Sequence, residues 1–339
     1  MLEVEQGNGY EVKVNHLFDR TSEELHRMTS AHDEPAPLAS QKKISTRSSA
    51  PSFLNWTAQG MVTSVKDQGG CGSCFAFAAI AAAESFLLVK GEADLDIDLS
   101  EQFLLECTSN ASCDDGGITH WAFSQTRNGV PTERAYPYYP YFTYYGICSA
   151  SDRIYVANAN ERFYSLTETE VISLLQDGPL GISVSSTDAW YPYQSGIFSC
   201  NVNDRRNHAV LLVGYGEDFW LIKNSWGSDW GDQGYMKISR NRDEDCLVGD
   251  FVYRLMDVSC LDPKCRRCYE NGYCLECEDN FELARGSCVC RDGGPIQDDG
   301  TCLPCKVENC LRCLNSQTVC EICSSGFTLD NGSCKGSST

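Results

Sequence analysis

A thiol, an imidazole and a carboxamide follow one another along this chain in an order suited to acyl transfer. Cys74 lies in Gln68-Gly69-Gly70-Cys71-Gly72-Ser73-Cys74-Phe75-Ala76-Phe77. His208 stands 134 positions further on, in Asn207-His208-Ala209-Val210, and Asn224 stands 150 positions past Cys74, in Lys223-Asn224-Ser225-Trp226-Gly227. A free thiol, with a pKa of about 8.5, is mostly protonated and inert in mild acid. A helix N-terminus and a neighbouring imidazolium both favour the thiolate, and the same imidazolium can protonate a leaving amine. Singly, a Cys is usually a small buried hydrophobe, a His a satisfied core or surface residue, and an Asn a turn residue. Their joint order and spacing points instead to a nucleophilic thiol served by a base and an orienting amide.

Local patterns place these side chains on rigid elements. After the loop-like Gly70 to Ser73, the run Phe75 to Leu88 is Ala-rich and apolar on most sides, which predicts a buried central helix with Cys74 in its first turn. His208 opens the short apolar run His208 to Gly214, and Asn224 closes Phe219 to Lys223; both runs suit buried strands. Leu99 to Cys107 reads as a second helix with Ser100 as N-cap. Thr167-Glu168-Thr169-Glu170 has the form of a capping box before another helix, which Gly178-Pro179 ends. Strands dominate thereafter, including Gly181 to Val184 and Gly234 to Ser239. A helical stretch followed by a β-rich one predicts an α+β architecture, with nucleophile and base on opposite walls of an interlobe cleft.

The Cys-Gly-Ser-Cys run with its downstream His and Asn resembles the papain-like cysteine peptidases, the family of the lysosomal cathepsins. Phe75 departs from the pattern, standing where Trp or Tyr is usual. The resemblance implies a two-lobe fold and an Asn224 side-chain oxygen that accepts a hydrogen bond from His208, shielded from water by Trp226. It implies an oxyanion hole made by the Gln68 side-chain amide and the Cys74 backbone N–H. Gly116 and Gly117 resemble the glycine pair that binds an extended substrate as an added strand, although Asp114 and Asp115 intervene where one residue is usual after Cys113. Phe251, five residues past Cys246, falls where the family sets the floor of the pocket for the side chain two residues before the scissile bond; plain core is the alternative. Such a floor should favour small or medium apolar side chains. The family needs no cofactor.

Cysteine parity agrees with that partition. Of 21 cysteines, seven precede Ser259, and removing Cys74 leaves six. Six cysteines allow fifteen connectivities; the resemblance implies Cys71–Cys113, Cys107–Cys148 and Cys200–Cys246. Twelve of the other fourteen repeat a pattern, with Cys290 and Cys302 between the copies: Cys260-x4-Cys265-x2-Cys268-x5-Cys274-x2-Cys277-x10-Cys288 returns as Cys305-x4-Cys310-x2-Cys313-x6-Cys320-x2-Cys323-x10-Cys334. Residues 259–339 thus read as two copies, about 260–288 and 305–334, similar to furin-like and EGF-like cysteine-rich modules. Units with so few apolar residues must be carried by disulfides. No His lies beyond His208 and the intervening loops are too short for a zinc ribbon, so no metal is expected.

Tyr10 to Leu25 resembles the second half of a cathepsin L-type inhibitory propeptide, with Leu17 in an aromatic slot, and Thr29 to Ser49 reads as an exposed linker. Residues 1–49 are therefore expected to be a partial propeptide and linker, 50–258 the catalytic domain. No signal peptide or apolar stretch of eighteen residues is visible, so the natural start is expected to be missing. A net charge of −20 and a pI near 4.6 disfavour nucleic acids and anionic membranes as partners. Paired cysteines and the sequons at Asn55, Asn110 and Asn331 suit the secretory pathway, with a lysosome, vacuole or the cell exterior as destination. The expected function is a monomeric thiol endopeptidase made as a zymogen, acting on protein or peptide substrates, whose tail engages a protein or glycan partner. The alternative is a catalytically weak scaffold serving adhesion.

Overall fold

The computed structural model describes residues 9–35, 44–46, 50–140, 148, 150, 152–200, 205–268, 272–284, 287–297, 301–313 and 316–336. The chain divides into two compact units, Met1–Met256 and Asp257–Thr339.

The first unit opens with strand β1 (Tyr10–Val12) and helix α1 (Ser22–Met28), followed by the two-residue strands β2 (Ala31–His32) and β3 (Leu54–Asn55). Its helical part comprises α2 (Cys74–Lys90), α3 (Glu101–Cys107) and α4 (Thr119–Gln125), with short strands β4 (Gly117–Ile118), β5 (Val130–Pro131) and β6 (Arg153–Ile154). Strand β7 (Ala159–Tyr164) and helix α5 (Glu168–Leu175) lead into β8 (Leu180–Val184), β9 (Tyr193–Phe198), β10 (His208–Tyr215), β11 (Phe219–Lys223), β12 (Tyr235–Ser239) and β13 (Phe251–Met256). These strands form a sheet in the order β1-β9-β12-β11-β10-β8-β13-β7, with β3 also on β10. The result is an α+β fold with one core around α2 and a second on the far side of the sheet.

Helix α2 is buried on nearly all sides, which its run of alanines permits by letting neighbours approach closely. It ends where Gly91 adopts φ 71° and donates its N–H to the Leu87 and Leu88 carbonyls, a left-handed cap that suits glycine. Ser100 caps α3 through the Phe103 N–H, and Thr167 with Glu170 closes a capping box on α5.

A buried charge cluster fixes the loop leading to the nucleophile. Lys66 Nζ lies 2.9 Å from Glu84, 2.8 Å from Glu101 and 2.7 Å from Asp98, so it ties the loop to α2 and α3. Burial alone would lower the Lys66 pKa, but Glu101 and Glu84 outweigh it and raise it. Thr63 donates to Glu84 and accepts from Lys223 at 3.2 Å, which joins this network to β11.

The stretch from Thr29, expected as an exposed linker, begins otherwise. Ala31 and His32 form β2, paired in parallel with Gly117 and Ile118 of β4, and Ala31 is buried. Backbone pairing to a glycine-bearing edge overrides a polar, aperiodic sequence. Further on, Ser173 donates to the Ser45 carbonyl, and Ile44 packs on the sheet-side core. The expected linker's residues 36–43 and 47–49 lie outside the described residues.

The second unit consists, among its described residues, of four hairpins: 265–268 with 274–277, 281–284 with 287–290, 310–313 with 320–323, and 327–330 with 333–336. Both copies carry one connectivity. Cys260–Cys268, Cys265–Cys274 and Cys277–Cys288 in the first are matched by Cys305–Cys313, Cys310–Cys320 and Cys323–Cys334 in the second, with Cys290–Cys302 between them. The buried apolar cluster here is Cys274, Phe281, Cys288 and Cys290, so the sulfurs themselves are the core. In the chain-entropy account each closed loop of this length stabilises by about 3 kcal/mol.

Candidate active site

Cys74 begins α2 and is fully buried. It is the one cysteine outside a disulfide: in the first unit Cys71 pairs with Cys113, Cys107 with Cys148 and Cys200 with Cys246. The first bridge fastens the loop before Cys74 to the loop carrying Gly116. His208 begins β10, and its Nε2 lies 2.8 Å from Asn224 Oδ1, immediately after β11. That oxygen also accepts the Ser225 N–H at 2.9 Å, so the carboxamide presents a fixed acceptor to the ring. Trp226 lies against the imidazole at 5.0 Å between ring centroids and Trp190 meets it edge-on at 6.1 Å; both indoles are fully buried. Water is thereby kept from the His208–Asn224 bond.

Gln68 is held from three sides. Ser225 Oγ donates to its Oε1 at 2.6 Å, its Nε2 donates to the Cys71 carbonyl at 2.8 Å, and Tyr138 donates to its backbone carbonyl at 2.8 Å. The remaining Nε2–H donates to the Met28 carbonyl at 3.0 Å. A peptide oxygen from the N-terminal segment thus rests on the amide of Gln68.

That segment covers the whole site. The Ala31 N–H donates to the Asn207 carbonyl at 2.9 Å on the sheet side, while β2 pairs with Gly117 on the helix side. The backbone N–H groups of Ser30 and Ala31, with those of Ala209 and Phe75, lie about the Cys74 sulfur. A Cβ on Gly116, which sits at φ 74°, would overlap the Ser30 carbonyl, so only glycine admits the segment here. A Cβ on Gly117 would come within 2.6 Å of the Phe75 ring. The departure at Phe75 is therefore accommodated as packing: the fully buried ring fills the space under Gly117. The extra residue after Cys113 is absorbed by a tight turn, in which Ser112 and Gly116 exchange backbone hydrogen bonds of 3.0 Å. Asp114 faces Arg27 at 3.3 Å and the Asp115 backbone carbonyl meets His32 Nε2 at 2.8 Å, so this turn contacts the segment, while the Asp115 carboxylate accepts from Ser112 Oγ at 3.1 Å.

Burial also bears on the protonation of the pair. Burial pushes the Cys74 thiol up to about 11, against the surrounding N–H groups that favour thiolate. Burial likewise drives His208 down to about 4, although Asn224 and the Met28 carbonyl favour its protonated form. In the covered site desolvation opposes the charged form of each group. Neutral thiol and neutral imidazole are what this enclosure stabilises.

Phe251 is buried at the head of β13, edge-on to Tyr164 at 5.0 Å, with the Arg206 guanidinium 4.2 Å over its ring. It belongs to the core and carries a cation on its face at once. Three contributors carry no signal that the sequence reading used: Ser225, Tyr138 and the segment Met28 to Glu34. Ser225 lies inside the Asn224 motif and was open to notice, whereas the other two depend on contacts 40 to 70 residues apart.

Residues 50–255 match the family described as papain family cysteine protease. Cathepsin S of Bos taurus is 33% identical over 262 residues, covering 72% of this chain and 77% of that protein. Among solved structures, the digestive procathepsin L2 proteinase of Tenebrio molitor larval midgut superposes with a TM-score of 0.64 at 32% identity, covering 74% of this chain and 84% of that one. The ragweed pollen cysteine protease Amb a 11, solved in its proform, gives a TM-score of 0.64 at 27% identity and covers 75% and 84% of the two chains.

Proposed function

The chain belongs to the papain family of cysteine proteases, and we propose that it is an endopeptidase precursor whose N-terminal segment blocks its own cleft. The observation that carries this reading is a fixed peptide carbonyl, that of Met28, resting on the Gln68 amide beside a free thiol and an Asn-held imidazole. Residues 1–49 are the inhibitory portion, 50–258 the catalytic domain and 259–339 a separate cysteine-rich domain.

Once the segment leaves, water re-enters and the Cys74–His208 pair ionises. The thiolate attacks the substrate carbonyl carbon, and the carbonyl π electrons move to oxygen, where Gln68 Nε2 and the Cys74 N–H receive the charge. Collapse of that intermediate breaks the C–N bond, and His208 gives its proton to the leaving amine. His208 then takes a proton from water, the hydroxide attacks the thioester, and collapse of that intermediate breaks the C–S bond, releasing the carboxylic acid and regenerating the Cys74 thiolate beside protonated His208. Asn224 holds the ring's orientation under Trp226 throughout. Gly116 and Gly117 offer the extended substrate the backbone edge that β2 now occupies.

The disulfides fit a secretory route ending in a lysosome-like compartment or outside the cell. No described helix is long and apolar enough to cross a membrane. The cysteine-rich domain, with no part in bond cleavage, is assigned to holding a protein or glycan partner.

Labelling with a thiol-directed epoxide before and after processing tests this reading. Processed protein should be labelled at Cys74 and should hydrolyse peptides, whereas Cys74→Ala should do neither while keeping its disulfides. Hydrolysis that persists in Cys74→Ala refutes it.

A further inference from the structure

The segment that covers the cleft carries a carboxylate into a pocket lined by hydroxyls and a guanidinium. Asp33, two residues past the β2–β4 pairing at Ala31, has a side chain only 6% exposed. Its Oδ1 accepts from Ser183 Oγ at 2.9 Å and from the Tyr253 hydroxyl, and its Oδ2 lies 3.4 Å from Arg206 Nε. Ser183 and Tyr253 are buried on the adjacent strands β8 and β13, where Ser183 pairs with Phe251. The pocket is thus built on rigid sheet, with the Arg206 guanidinium spread over the Phe251 ring as its lid. A carboxylate this buried is tolerated only where donors or a countercharge replace its water, and here two hydroxyls donate to it and the Arg206 guanidinium supplies the charge.

We infer that in the processed enzyme Ser183, Tyr253 and Arg206 form a subsite for an acidic substrate side chain, that of Asp above all, two residues before the scissile bond. The inference rests on the peptidase reading above and deepens it. An apolar floor at Phe251 alone would select Leu or Val, but the guanidinium covers that face. When Asp33 departs, Arg206 keeps one partner, Asp250 at 3.0 Å, while its Nε edge and the two hydroxyls face the vacated space. An apolar side chain would bury those donors without acceptors, a carboxylate of Asp length restores all three contacts, and a carboxamide forgoes the charge. The next residue points the same way: Glu34 meets Arg162 at 3.2 Å and the Trp121 indole N–H at 3.2 Å, so the segment reaches this end of the cleft through two consecutive acids.

The test measures kcat/KM of the processed enzyme on three dipeptidyl coumarin amides. They share Arg next to the scissile bond and differ only in the preceding residue: Asp, Asn or Leu. The Asp substrate should exceed the isosteric Asn substrate by about tenfold or more, and the ratio should collapse toward about one in Arg206→Gln. Epoxide titration of Cys74 counts the competent sites in each preparation. Should Arg206→Gln not yield titratable enzyme, Tyr253→Phe serves, with the same fall in the Asp-to-Asn ratio expected. Equal turnover of Asp and Asn by the unsubstituted enzyme, or a ratio unmoved by these substitutions, overturns the subsite while leaving the peptidase reading intact through the Leu substrate. Failure to hydrolyse any of the three overturns the peptidase reading itself.

Discussion

Acid should loosen the N-terminal segment through His208. In the covered site burial holds the imidazole neutral, with a pKa lowered to about 4 from the ordinary 6.5. An opened site, with water restored, returns the ring toward its ordinary value. Closure therefore binds fewer protons than opening between those two values, and its free energy is full above about pH 6.5 and lost as pH falls toward about 4. At pH 5 the proton-linked factor is about 30, or about 2 kcal/mol of closure lost relative to neutral pH. The measurement is amide hydrogen exchange of residues 28–32, corrected for intrinsic chemical exchange, in a Cys74→Ala background that cannot process itself. Between pH 7.5 and pH 5 the opening constant should rise by about 30-fold, and in His208→Gln with Cys74→Ala this rise should vanish. An opening constant that does not change with pH, or that rises equally without His208, refutes the argument that desolvation of this imidazole is what acid releases.

Two other outcomes follow from the site and the domain division. Gln68→Ala removes a donor held on three sides, so kcat of the processed enzyme should fall by about 10²–10³ with little change in KM; Asn224→Ala, which loses orientation and not proton transfer, should reduce turnover less than His208→Ala does. Truncation after Val258 should leave kcat/KM on a short peptide within about twofold, because the catalytic side chains and their hydrogen-bond partners all lie before Met256; loss of hydrolysis by a folded truncated enzyme would mean that the cysteine-rich domain contributes to catalysis.

What the sequence made legible at this site is what short runs of chain decide. An alanine-rich apolar stretch can only be an enclosed helix, so Cys74 at its first turn was readable, and the β-rich runs beginning at His208 and ending before Asn224 placed those residues equally well. The N-terminal segment was not readable, because nothing in Ser30-Ala31-His32 encodes a strand. The edge it pairs with lies more than 80 residues away, and the segment can approach it because Gly116 lacks the Cβ that would meet the Ser30 carbonyl. Helix position is local and favours thiolate, whereas the burial that opposes it is built from contacts distant in sequence. The surroundings of Phe251 were unreadable likewise, since Arg206, Ser183 and Asp33 come from three separated stretches. One physical consequence joins these cases: the chain carries its catalytic groups on elements that fold from local pattern, and it carries their restraint on a strand that exists only when the cleft is there to pair with it. Restraint of that kind can be withdrawn without unfolding the elements beneath it.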